Sequence, residues 1–268
     1  MVPRLHLHVL ASGSKGNACV VEGPEGSVLV DCGISRRSLM QRAGELGLDM
    51  GSVAALLLTH EHSDHVAGVS VFCNHFDGRL IATAGTVGAR SYLSEHDFEL
   101  VSPGDEVEVA GMLVRTFPTS HDVADPIGAR FECDGDAIAI CTDTGIVTRP
   151  ARELLRGARI IALESNHDER MLATGPYPAY LKRRVASETG HLSNAQAAEA
   201  LPGLVTEDTE VVVAMHLSQK NNRPSVCVRA LAAAVGAEPT NSTFTEARTP
   251  DGHLTIMAAA QDAPVSVW

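Results

Sequence analysis

The sequence predicts a mixed α/β (α+β) fold, and two sheets packed together with helices outside is one arrangement consistent with its element order. Three observations carry this. Strand patterns come early, a helix follows, strands return, and helices and strands then alternate. Several strand candidates ("VAALLLT", "ARIIALES", "EVVVAMHLS") are continuous apolar runs, as expected of strands covered on both faces. No repeat of 20–50 residues and no linker-like stretch interrupts the 268 residues.

In chain order, "RLHLHVLASGS" alternates and then breaks at Ser12-Gly13-Ser14, a strand entering a loop. "NACVVEG" and "SVLVDCG" read as strands around a turn at Gly23-Pro24. Residues 35–47 have helical spacing, with Ser35 as N-cap and Gly47 as stop. "VAALLLT" is a strand that runs out at His60, and a helix is expected from near Ser63 through "HVAGVSVFCNHF". "RLIATAGT" is a strand before a helix over 86–94. "EVEVAGMLVRTFPTS" and "IGARFECDGDAIAICTDTG" make the middle strand-rich. A helix over 149–157 precedes the strand "ARIIALES", and 166–188 is irregular or helical. Ser193 with Gln196 forms a capping box ahead of a helix. "EVVVAMHLS" is a strand, "SVCVRALAAAVG" a helix, and "LTIMAAA" a last strand before a frayed tail from about 260.

Composition sets limits on function. At 44% hydrophobic and 4% aromatic, the core is built mainly from Ala, Val, Leu and Ile. A formal net charge of −12 argues against coating nucleic acid by global field. It leaves room for a local basic patch, or for a metal-centred phosphate site in which two divalent ions would dominate. The six cysteines form no C-x-x-C pair and no disulfide framework, which points to a reducing compartment. The N-terminus lacks a signal peptide's continuous apolar region, and no run of about 18 apolar residues suggests a membrane span. The expected location is the cytoplasm.

Four apolar strand candidates each end in a metal-ligand type of residue: His60, His121, Asp143 and His216. Loops at the ends of rigid strands are where chemistry is usually placed. Unrelated polar caps would explain one such ending better than four. His60, His62 and His121 can give one ion three nitrogens and an open fourth position. Asp64, His65 and His216 can hold a second ion, and Asp143 can bridge the two. In H-x-H-x-D-H, His60 and His62 point one way on an extended loop, whereas Asp64 and His65 turn at the helix start toward the other ion. Glu61 alternates away. Among the other histidines, His6 and His8 alternate on one strand face and are expected to face solvent, as are His75, His96 and His253.

The series T-H-x-H-x-D-H at 59–65, then His121, Asp143 and His216, resembles the metallo-β-lactamase fold hydrolases over nearly the whole chain. The resemblance implies a four-layer αββα sandwich, one domain over 1–268, with a dinuclear site at one edge, and the mixed N/O donors suit Zn, Mn or Fe. It also implies that Asp31 in "VLVDCG" orients the ligand loop without binding metal. A narrower resemblance rests on "LASGSKGN", "THEHSDHVAGV", "SHDVADPIG", "TDTG", "LESNHDERML", "GPYPAYLKRRVASETGHLSNAQAA" and "HLSQKNNRP". Together these are similar to the YycJ/WalJ family. That family resembles the phosphodiesterase branch, which includes the tRNA 3′-processing endonucleases, and is associated with DNA exonuclease activity.

In that branch a Glu–His pair sits beside the metals, and Glu164 and His191 match it. His191, just before a helix N-terminus, is expected to hydrogen-bond a phosphate oxygen or protonate the leaving oxygen. Substrate contacts are expected from Glu164, His167, Ser193, Lys182 and Arg184, with "YLKRR" joined by Arg36, Arg37 and Arg223 in a basic rim. Ser193 reads more readily as a helix cap, and the rim as a solvated helix face. His121 and Asp143 are only 22 residues apart, too close for the protruding arm of the tRNA endonucleases. Asp143 and His216 are 73 apart, too close for the domain that β-CASP nucleases insert. The expected enzyme is a compact phosphodiesterase acting on DNA, in which a metal-bridging hydroxide, oriented by Asp64, attacks phosphorus in line. Two rivals remain: a thioester or lactam hydrolase on the same scaffold, and a non-enzymatic, metal-stabilised regulatory protein.

Overall fold

In the computed structural model, which describes residues 5–268, the strands gather into two sheets. The N-terminal half contributes β1 (His6–Ala11), β2 (Ala18–Gly23), β3 (Gly26–Val30), α1 (Arg36–Glu45), β4 (Val53–Leu57), α2 (Ser63–Val66), α3 (Val69–Cys73), β5 (Arg79–Thr83), α4 (Ala84–Gly88) and β6 (Phe98–Val101). Then come β7 (Glu106–Val109), β8 (Met112–Pro118), β9 (Ile127–Cys133), β10 (Asp136–Cys141), α5 (Arg149–Leu155), β11 (Ile160–Glu164), α6 (Glu169–Thr174), α7 (Ala179–Val185), α8 (Asn194–Ala200), β12 (Val211–Met215) and α9 (Pro224–Val235). The chain closes with β13 (Glu238–Pro239), β14 (Glu246–Arg248), β15 (Thr255–Ala258) and β16 (Val265–Val267). One sheet runs β16-β1-β2-β3-β4-β5-β6 and the other β13-β14-β15-β12-β11-β10-β9-β8-β7.

Side-chain alternation along the strands builds the layers. Ile138 and Ile140 of β10 face the first sheet, where they meet Leu7, Val9, Val28, Val30 and Leu57 in one buried cluster. Ala139 and Cys141 face the other way, onto Leu155 of α5, Ala197 of α8 and Leu231 of α9. On the first sheet, Leu10, Leu29 and Leu56 likewise turn outward onto Leu39 of α1 and Val69 and Phe72 of α3. The result is the four-layer αββα sandwich that the motifs led us to expect. The central runs β3-β4-β5-β6 and β10-β11-β12-β15 are parallel, which accounts for apolar stretches without polar alternation.

Strand directions collect the chemistry at one edge. The chain leaves β3 at Asp31, β4 at Thr59 and His60, β8 at His121, β10 at Asp143, β11 at Glu164 and β12 at His216. The parallel strands all leave at that same edge, the usual ligand-binding edge of such sheets. Between His121 and Asp143 there is only the β9–β10 hairpin.

Four local expectations are corrected. The helix from Ser63 is broken into α2 and α3 at Gly68, whose N–H donates to the Cys32 carbonyl; a Cβ there would lie 2.1 Å from the Ile34 carbonyl oxygen. The helix over 86–94 is instead the short α4, started by the Thr83 hydroxyl capping Thr86 N–H. The tail expected to fray from about 260 contains β16, paired antiparallel with β1. His8 does not face solvent: it is fully buried, hydrogen-bonded to Ser266 and Glu22.

Candidate metal centre

The ligand loop is anchored before any ligand is reached. Asp31 Oδ1 accepts from Thr59 N–H at 2.8 Å, and Oδ2 accepts from the Thr59 hydroxyl at 2.8 Å and from His65 Nδ1 at 2.7 Å. The Thr59 hydroxyl also lies 3.0 Å from His60 Nδ1. Asp31 thus contacts His65 directly and His60 through Thr59. From the other side, Gly33 packs so tightly that a Cβ would sit 1.7 Å from the Asp64 carbonyl oxygen. Asp31, Asp143 and His216 all hold positive φ (60°, 55° and 56°), a region costing non-glycine residues about 1–3 kcal/mol each. Such strain at three residues of one cluster marks an arrangement that packing over-determines.

Two donor groups share Asp143. His60, His62, His121 and Asp143 offer atoms all within 4.8 Å of one another, and so do Asp64, His65 and His216. Asp143 Oδ1 lies 3.9 Å from His60 Nε2 and 3.7 Å from His121 Nε2, while Oδ2 lies 3.2 Å from His65 Nε2. In the second group, Asp64 Oδ2 is 3.7 Å from His65 Nε2 and 3.4 Å from His216 Nε2. Asp143 Oδ1 thus lies near His60 and His121, and Oδ2 near His65, while Oδ1 is also 3.5 Å from His216 Nδ1.

The residues fit divalent cations. His60 Nε2 and Asp143 Oδ2 are buried without a hydrogen-bond partner, which is costly unless something cationic faces them. His62 Nδ1 and His121 Nε2 face each other at 3.2 Å, while His121 Nδ1 donates to the Gly190 carbonyl. The opposite nitrogen of each anchored ring is engaged, as metal-binding imidazoles require. Burial, with the neighbouring His65, holds His60 well below the usual imidazole range, so it presents a lone pair. Burial pushes the Asp143 carboxyl up, but the imidazoles of His216 and His65 more than reverse this and hold it well below the carboxylate range.

Beside this cluster Glu164 is fully buried, and its carboxylate is used completely. Oε1 accepts from His191 Nδ1 and His216 Nδ1, each at 2.8 Å; Oε2 accepts from the Thr144 and Leu192 N–H groups. Burial raises its pKa, yet the His191 and His216 contacts bring it down to about 2. The strand register explains the pairing, because Glu164 lies beside Met215, one residue before His216. Asp143, Glu164, His191 and His216 also fall within 4.8 Å of one another, but the two short Nδ1–Oε1 bonds make Glu164 a hydrogen-bond anchor here.

A cleft of about 320 Å³ opens over the cluster, lined by His62, Asp64, Asp143, His191 and His216 together with Arg90, Tyr177 and Arg184. Several expected substrate contacts are corrected. Glu164 cannot reach the cleft. Ser193 is buried as the cap of α8, its hydroxyl accepting from Gln196 N–H and donating to Glu169. His167 is buried, with its backbone paired beside Ser193. Lys182 donates to the Ala173 carbonyl and does not line the cleft; nor do Arg36, Arg37 and Arg223. Arg184 does line it, held by a bidentate pair with Asp122. His191 lines the cleft, with Nδ1 bonded to Glu164.

Some site residues were not singled out from the sequence. Arg90 lines the cleft and donates from Nε to the Glu61 carbonyl. It sits in a segment with no motif, so no local signal marks it. Asn17 lies 3.0 Å from His65 Nε2 and its amide accepts from Gly13 N–H; "GSKGN" carried that signal as a tight polar turn. Ser165, Asn166, Asn194 and Asn222 form a buried amide network, and Asn166 Nδ2 donates to the His216 carbonyl. This network joins "LESNH", "HLSN" and "NNRP", and explains why such polar segments are buried.

The family model described as beta-lactamase superfamily domain matches residues 27–217. The chain is 36% identical to the exodeoxyribonuclease YycJ of Bacillus anthracis, over 81% of this chain and 84% of the relative. It is 33% identical to the exodeoxyribonuclease WalJ of Streptococcus pneumoniae, over 80% and 82%. Among solved structures, the metallo-beta-lactamase fold protein YhfI from Bacillus subtilis superposes with a TM-score of 0.69 at 12% identity, covering 98% of this chain and 99% of that one, a likeness of fold.

Proposed function

The chain belongs to the YycJ/WalJ family of the beta-lactamase superfamily, and on that footing we propose that it is a two-metal phosphodiesterase that degrades DNA from an end. The observation that carries the reading is the pairing of a shared-carboxylate ligand set with His191, held by Glu164 at 2.8 Å and facing the same cleft. Exodeoxyribonuclease names on relatives that align over most of the chain support nucleic acid as substrate.

His60, His62 and His121 would hold one divalent ion, Asp64, His65 and His216 the other, with Asp143 between them. When bound, such ions lower the pKa of water and stabilise charge building on phosphoryl oxygens. Asp64, whose carboxyl is kept in its charged form by His216 and His65 despite burial, orients the attacking water from the cleft side. His191 Nε2 donates to a phosphate oxygen or to the departing oxygen, and Glu164 fixes the ring for that task. Arg90 and Arg184, the latter paired with Asp122, place guanidinium groups on the cleft walls of a chain whose net charge is −12. Tyr177 lines the cleft, so a base freed from the end of a strand can stack on it. Zn, Mn or Fe suits the mixed N/O donors. A cytoplasmic site of action fits six cysteines that are all unpaired.

The test is a substrate panel at stated salt: labelled single- and double-stranded DNA and RNA, set against a lactam chromophore and a glutathione thioester. DNA degradation that needs added metal and starts at ends is expected. Lactam or thioester hydrolysis without nuclease activity would overturn the reading, as would an absence of all hydrolysis.

A further inference from the structure

At the opposite end of β1 from the strand-end cluster lies a second group of donors. His6 Nδ1, His8 Nε2 and Glu22 Oε2 all lie within 4.8 Å of one another. His6 and His8 stand two apart on one strand and project from the same face, while Glu22 is the cross-strand partner of His6 on β2. From Glu22 Oε2 the distances are 3.1 Å to His8 Nε2 and 3.7 Å to His6 Nδ1. Bonds of about 2.0–2.2 Å at tetrahedral angles put neighbouring ligand atoms roughly 3.3–3.5 Å apart, so these values bracket what one ion requires.

Two further observations point to a cation. His6 Nδ1 is buried with no hydrogen-bond partner although it faces this group. The His8 ring is fully buried, and its other nitrogen is engaged with the Ser266 hydroxyl at 2.8 Å, the outer contact that fixes the ring orientation of a metal-binding imidazole. With Nδ1 donating to Ser266, Nε2 turns a lone pair toward the Glu22 carboxylate, an arrangement in which both can bind one cation. The ring of Trp268 covers the group, edge-on to His6 at 4.4 Å and to His8 at 5.6 Å between centroids. A cavity of about 360 Å³, lined by His6, Glu22, Asp49, Met50, Ser52 and Trp268, leaves a coordination position open to a water or a small anion.

We propose that His6, His8 and Glu22 form a further transition-metal site of the zinc class, separate from the strand-end cluster. The two lie at opposite ends of β1, about 20 Å apart at roughly 3.3 Å per residue from His6 to Ser12. Two imidazoles and a carboxylate match zinc and copper(II) better than magnesium or calcium. The ion ties β1 to β2, and through Ser266 and Trp268 it secures β16, the sheet's edge strand.

Trp268 is the only tryptophan of the sequence, so its emission reports this site and no other. Copper(II) is added to the purified holoenzyme, and to its Glu22→Gln and His6→Ala variants, while that emission is followed. The wild type is expected to lose most of its emission over a step of one equivalent. Both variants should need at least about tenfold more copper, a loss of roughly 1.4 kcal/mol in binding. Zinc-dialysed wild type is expected to carry one equivalent more zinc than either variant, with DNA degradation the same in all three. Glu22→Gln is nearly isosteric on a half-exposed side chain, and unchanged circular dichroism shows that it is folded. Quenching that is absent, or equal in the three proteins, overturns the proposal whatever the zinc content.

Discussion

Glu164 holds two histidines on one carboxylate oxygen, so substitutions around it separate binding from chemistry. If His191 acts on the phosphate as proposed, His191→Ala is expected to cut kcat about 10²–10⁴-fold while the metal content stays the same. Glu164→Gln is expected to lower both kcat and metal affinity, since His216 loses its anchor with His191. Kinetics read beside metal analysis check both, and metal loss in His191→Ala would make that ring a ligand. Asp31→Ala, which frees His65 and Thr59 without touching a metal, is expected to weaken metal affinity about 10–100-fold, measured by competition with a chelator. At this scale the sequence was informative wherever a residue stood in a motif: the histidines and aspartates of the motifs, with Asp31 and His191, gather at one cleft. It misled for Glu164, His167 and Ser193, because a polar residue beside a site can be buried as its support, and sequence does not separate support from contact. Arg90 was not legible at all, since only the fold brings its segment to the Glu61 carbonyl.

Among the elements, the strand ends matter most, and their apolar runs made them readable. What escaped was the fitting of one loop against another. The break at Gly68 comes from close approach to Ile34, a contact between segments that are distant in sequence. Gly33 is under the same constraint against Asp64, so Gly33→Ala must push the ligand loop outward. It is expected to reduce metal content and activity together while both sheets persist, seen as unchanged circular dichroism beside metal analysis. The segment before α7 brings Tyr177 to the cleft. Tyr177→Ala is expected to raise KM on single-stranded DNA by a factor matching about 1–3 kcal/mol of lost stacking, with a smaller change in kcat. An unchanged KM would place the base elsewhere.

Across the whole molecule, one ion pair links the two sheets. Asp136 at the start of β10 takes Arg159 Nε at 2.8 Å and the N–H of Leu5 at 3.1 Å, while Arg159 donates to the Leu5 carbonyl. Burial raises the Asp136 carboxyl, but Arg159 more than offsets this and holds it below the usual carboxylate range. A depressed carboxylate adds stability above its unfolded pKa and loses it as pH falls through the folded one. Asp136→Asn is therefore expected to destabilise at pH 7 and to converge on the wild type as the pH drops below about 4, in urea unfolding at each pH. The four-layer plan was legible because strand order and motifs agreed. The pairing of β16 with β1 was not, because three residues beyond a polar turn carry too little pattern. The central claim is that one shared carboxylate organises two ions for DNA hydrolysis. The most direct test is degradation of end-labelled DNA by wild type and Asp143→Ala, each stripped by chelator and then titrated with zinc or manganese at fixed salt. Wild type is predicted to fall silent when stripped and to recover with metal, and Asp143→Ala to stay silent throughout. Full activity in stripped wild type, or in Asp143→Ala, would contradict the account.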